Sequence, residues 1–77
     1  MTWTYRVMRR KITLGNAEEY AYGIYEVYDD DEVVGHSWTV DAMDPHGETL
    51  EELRADFDHM ANAFEAPTLD HETGKPI

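Results

Sequence analysis

An α+β fold of βββα order, a three-stranded antiparallel meander with one C-terminal helix packed on one face, is predicted by three features of the sequence. The N-terminal residues alternate as a strand does. Turn signals at Gly15-Asn16 and at the acidic cluster 29–32 then separate two further apolar runs. Last, Gly47-Glu48-Thr49-Leu50-Glu51-Glu52-Leu53 opens a helix. A helix with one apolar side laid on one face of an antiparallel sheet buries both surfaces, the common solution for such domains.

Over residues 3–10, Trp3, Tyr5, Val7 and Arg9 alternate with Thr4, Arg6, Met8 and Arg10, all in strand-favouring company. Trp3, Tyr5 and Val7 are expected to face inward. After the Gly15-Asn16 turn, residues 20–28 are dense in aromatic and aliphatic types and are expected to form the central strand. Asp29-Asp30-Asp31-Glu32 interrupts it, because adjacent like charges avoid a buried pleat and Asp favours turns. Val34, His36, Trp38 and Val40 then alternate with Gly35, Ser37 and Thr39 as a third strand.

The turn Asp44-Pro45-His46-Gly47 leads to a helix predicted over residues 50–65. Thr49 can accept from the backbone N–H of Glu52 while the Glu52 carboxylate reaches back to the N–H of Thr49, a capping box. Glu51 and Glu52 also place negative charge at the positive end of the helix dipole. Leu50, Leu53, Phe57, Met60, Ala61 and Phe64 fall within an arc of roughly 100°, and this side is expected to cover the sheet. Pro67 cannot continue the helix. Residues 1–69 read as a single domain. The polar stretch 70–77, with Gly74 and Pro76, reads as a mobile tail.

A chain of 77 residues has a thin core, since such a domain buries only about 60% of its unfolded surface, and self-association would help it. It has no cysteine, which excludes disulfides, thiolate zinc sites and thiol nucleophiles. Met-Thr-Trp-Thr-Tyr-Arg lacks the apolar segment of a signal peptide, and no run approaches the roughly 20 apolar residues of a membrane span. A cytoplasmic protein is therefore expected. Seventeen Asp and Glu against six Lys and Arg give a net charge of -11, which opposes contact with phosphate backbones and anionic membranes. Arg6, Arg9, Arg10 and Lys11 nevertheless lie in an N-terminal stretch without any acid. They are expected to pair with acidic neighbours of the same fold.

The central strand carries Tyr20, Tyr22 and Ile24 on one side and Tyr25 and Val27 on the other, so aromatic area is left on the face away from the helix. Such a patch marks an interaction surface, and Trp3, Tyr5, Met8, Tyr22, Tyr25 and Trp38 are the candidate interface residues. The expectation is a non-enzymatic, acidic interaction domain acting through this aromatic face, as a homodimer or on a basic protein. The competing expectation for the same face is that the chain end, with Leu69, folds over it.

The four histidines, His36, His46, His59 and His71, share no local ligand spacing, so no metal or cofactor is expected. A metal-binding protein or enzyme using His36 and His46 with nearby carboxylates is the alternative. An acidic mimic of nucleic acid is a third reading. The acidic tip 29–32 lacks the ligand alternation and the glycine of a calcium loop.

Tyr5-Arg6-Val7, the run Tyr22-Gly23-Ile24-Tyr25-Glu26-Val27-Tyr28 with its acidic turn, Trp38, the stretch from Gly47 to Arg54 and Pro67 together resemble a family of short uncharacterised bacterial proteins of strand-strand-strand-helix type. The Gly-acid-Thr-Leu-Glu-Glu motif, here Gly47 to Glu52, is also distantly similar to that of the N-terminal domain of HicB-type antitoxins. That likeness implies a module that binds and neutralises a small basic ribonuclease toxin. The Asp44-Pro45-His46-Gly47 turn differs from the longer Pro-Asp-Leu-Pro-Gly segment typical of those domains.

Overall fold

Strand-favouring residues on both sides of a two-residue turn build the largest element of the structure, a computed structural model that describes residues 2–29 and 37–77. Strand β1 (Thr2–Leu14) and strand β2 (Ala17–Asp29) pair antiparallel from Thr2↔Asp29 to Leu14↔Ala17. Gly15 takes φ 62°, which suits the first central position of a tight hairpin turn, where an L side chain would be strained. Partners across the ladder share a face. One face therefore carries Trp3, Tyr5, Val7 and Arg9 with Tyr28, Ile24 and Tyr22, and the other Arg6, Met8 and Arg10 with Tyr25, Gly23 and Ala21.

Among the described residues the sheet is four-stranded and mixed, in the order β3-β2-β1-β4, which corrects the expected three-stranded antiparallel meander. Strand β3 is Ser37–Trp38, antiparallel to β2 through Val27↔Trp38 and Tyr28↔Ser37. The expected acidic tip at 30–32 and the first part of the expected third strand, with Val34, Gly35 and His36, lie outside the described residues. Strand β4, Leu69–Asp70, adds to the other edge, parallel to β1 through Met8↔Leu69 and Arg9↔Asp70.

Helix α1 spans Leu50–Ala61 and tightens into a 3₁₀ turn over Asn62–Glu65. Thr49 Oγ1 accepts from the Glu52 N–H at 3.1 Å, a cap of a kind worth about 1 kcal/mol. The Glu52 carboxylate accepts from the N–H of Glu48 at 2.9 Å, one residue earlier than the capping box predicts. The helix meets the Tyr5 and Val7 face through its last turn, where Met60 and Ala63 close a small core with partly buried Ile24 and Met43.

The second core lies on the opposite face, where Met8, Tyr25, Val27 and Leu69 pack together with Trp38. What covers it is the segment expected as a mobile tail. The His71 N–H donates to the Arg9 carbonyl at 3.0 Å, the Asp70 N–H to that of Lys75 at 2.8 Å, and the Ile77 N–H to that of Thr68 at 3.0 Å. Gly74, at φ 73°, lets the Trp38 ring lie on bare backbone, because a Cβ there would come within 2.4 Å of Trp38 Cζ3. The fold is thus three-layered at its base, with helix, sheet and C-terminal strap.

Beyond these layers the hairpin runs on as a two-stranded arm. It lengthens the molecule to 44 × 33 × 20 Å and raises the radius of gyration to 13.7 Å, against about 11.5 Å expected for a compact domain of this length. Among the described residues no helix is long and apolar enough to cross a membrane.

Candidate interaction surface

A buried tyrosine hydroxyl needs a partner, and the one that Tyr5 finds determines how the helix is turned. Tyr5 donates to Asp56 Oδ1 at 2.9 Å, and the backbone N–H of His46 donates to Asp56 Oδ2 at 2.8 Å. His59 packs edge-on to Tyr5 at 5.0 Å and against Trp3 at 5.6 Å. Asp56, His59, Met60 and Ala63 therefore face the sheet. This is roughly a quarter-turn away from the apolar arc expected to do so, at 100° per residue.

The arc itself faces out. Leu50, Phe57 and Phe64 are 77%, 60% and 72% exposed, and of its six members only Met60 is buried. Between this side of the helix, the 42–45 loop and β2 runs an apolar groove with two hollows. One of about 260 Å³ is lined by Ile24, Met43, Phe57 and Phe64, and one of about 400 Å³ by Pro45, Leu50, Leu53 and Phe57. A third hollow, between Phe64 and Tyr22, continues the groove onto the arm. There Tyr20 and Tyr22 are exposed on the same face, and the Arg9 guanidinium lies 4.2 Å from the centre of the Tyr20 ring.

The candidate interface residues are divided by this arrangement. Tyr5 is buried under the helix, and Met8 and Tyr25 are buried under the strap. Trp38 is half-buried against Gly74, with the His71 ring 6.2 Å away. Trp3 is 42% exposed and Tyr22 67%. The sheet face expected to be open is closed by the chain's own end, and the open apolar surface lies on the helix side. Periodicity pointed to the residues of the arc, but not to the direction in which they turn.

The N-terminal cations are engaged within the fold, largely by carbonyls. Arg6 Nη2 donates to the Pro67 carbonyl at 2.8 Å, Arg10 Nη1 to the Val40 carbonyl at 3.1 Å, and Lys11 pairs with Glu18 at 3.1 Å on the exposed arm. His71 Nε2 lies 3.2 Å from the Thr39 carbonyl, which can only accept, so this nitrogen carries the proton. His36 lies outside the described residues. Among the described residues no three His, Asp or Glu side chains gather as metal ligands would.

The tyrosine–aspartate contact gives the fold a pH signature. Burial, and then the hydrogen bond and charge of Asp56, push the Tyr5 phenol up to about 12. The His46 N–H, followed by the Tyr5 hydroxyl, holds the Asp56 carboxyl below its usual range. A raised Tyr5 value means that its contribution is whole below the unfolded value near 10 and is lost as pH climbs from about 10 through about 12. The depressed Asp56 value means that its contribution is whole above the unfolded value and is lost as pH falls through the folded one. Urea midpoints measured across pH are expected to decline at both ends. Tyr5→Phe should flatten both declines, and a Tyr5→Phe profile parallel to that of the wild type would contradict the assignment.

Comparisons of the chain with protein-family models, with curated proteins and with solved structures each return no match.

Proposed function

We propose that this chain is a non-enzymatic interaction domain whose working surface is the apolar groove beside α1, continued onto the hairpin arm. The observation that carries this reading is the outward turn of Leu50, Phe57 and Phe64, a contiguous apolar side of a kind that small soluble domains seldom leave bare. The aromatic sheet face expected to serve this purpose is occupied by the strap, so the role passes to the helix side. A second reading, antitoxin-like capture of a small basic protein, is favoured by the acidity around the groove. Residues 41–65 hold eight Asp and Glu against one Arg.

Phe57→Glu tests the proposal, because the residue is exposed and the change should alter stability by no more than about 1 kcal/mol. The expected result is that protein retained from native cell extract by the immobilised wild-type chain is lost with Phe57→Glu, while circular dichroism and urea midpoint stay near those of the wild type. Retention that falls with rising salt would favour the basic partner. Equal retention by both chains would count against the groove.

A further inference from the structure

We infer that the occupant of the groove is the hairpin arm of a second copy, in a two-fold dimer whose copies exchange arms reciprocally. The inference rests on the reading of the groove as a docking surface and names what docks there. Groove and arm form one strip on one side of the molecule, with Leu50 and Phe57 at one end, Tyr20 at the other, and Phe64 and Tyr22 at the junction. A two-fold axis through the junction lays the arm end of each copy on the groove end of the other.

Charge selects this pairing over its alternatives. The arm, residues 9–22, carries three cations against two glutamates in a chain of net charge -11, whereas the groove end is lined by Asp58 and Arg54 within the 41–65 stretch, where eight acids outnumber that one cation. Groove against groove would oppose acids with acids, and arm against arm would oppose cations with cations. Arm in groove places Arg9, stacked on the Tyr20 ring, beside Asp58 and the acidic stretch around it, while Lys11 keeps its pairing with Glu18.

Surface area agrees. The chain exposes 5749 Å², against about 4,800 Å² expected for a folded monomer of its mass. The excess, roughly 900 Å², is close to the ~800 Å² that each partner buries in a standard interface. A two-stranded arm is also marginal alone, and docking gives one of its faces a cover.

Sedimentation equilibrium from micromolar to millimolar concentration tests the inference with two charged variants, Tyr20→Lys on the arm and Phe57→Glu in the groove. Wild type is expected to dimerise, and each variant alone to dimerise at least tenfold more weakly. Their equimolar mixture is expected to regain dimer. In the mixed pair one contact is wild type and the other sets the new lysine against the new glutamate. Tyr22→Lys, at a more exposed site, replaces Tyr20→Lys should the latter lose its circular dichroism signal.

A mixture no more associated than its components would overturn arm exchange, as would Phe57→Glu dimerising like wild type. A wild-type chain that stays monomeric at millimolar concentration would overturn the dimer while leaving the docking surface to the extract experiment. Loss of the Phe57 effect in both experiments would remove the docking surface as well.

Discussion

Met8→Ala is expected to lower the stability of the fold by about 3 kcal/mol, the largest loss anticipated for a single truncation in this chain. Met8 is fully buried and sits where three elements meet. It is flanked by Tyr25 and Val27 from β2, by Leu69 from β4 and by the partly buried Trp38. Replacing its side chain with a methyl group removes transfer energy and leaves a void that the strap cannot fill without breaking its pairing with β1. A domain of this size has roughly 4–12 kcal/mol of stability in all. The variant should therefore show a clear drop in urea midpoint at unchanged slope. A drop of less than 1 kcal/mol, against the lower bound of about 2 for such changes, would mean that this face is far looser than described.

Ending the chain at Thr68 is expected to abolish cooperative folding. The deletion takes away Leu69 and the backbone donors at Asp70, His71 and Ile77, together with the Gly74 surface on which Trp38 rests. Met8, Tyr25 and Val27 would then face water on a β3-β2-β1 sheet that keeps a cover on its helix side alone. Exposing three large side chains costs roughly 1.5–3 kcal/mol each, which by itself approaches the whole stability of the domain. Thermal melts followed by circular dichroism and amide proton dispersion would report the outcome. A truncated chain that melts as sharply as the full one would show the strap to be dispensable.

These two expectations also mark where the sequence stops being legible. Alternation, the Gly15-Asn16 turn and the Thr49 cap act through neighbours, so the hairpin and the start of α1 can be read directly. The strap cannot be read so. Leu69 is a lone apolar residue in a polar stretch, and its value comes from Met8 and Val27, tens of residues away. Gly74 was visible, but as a sign of a loose end. Its contact with Trp38 turns it into a sign of close packing. The turn of the helix was hidden for a similar reason, since helical periodicity locates an apolar side but is silent on what lies opposite. The Tyr5–Asp56 bond spans 51 positions and outweighs that side locally, which is why the candidate surface moved from sheet to helix.

The two tryptophans stand on opposite sides of the sheet. Trp3 lies beside Tyr5 and His59 under the end of the helix, and Trp38 lies under the strap against Gly74. The molecule thereby carries an optical probe in each of its outer layers. With one indole replaced at a time, the emission of the other follows the peeling of a single layer. Unfolding can then be resolved into whether helix and strap leave together or in turn.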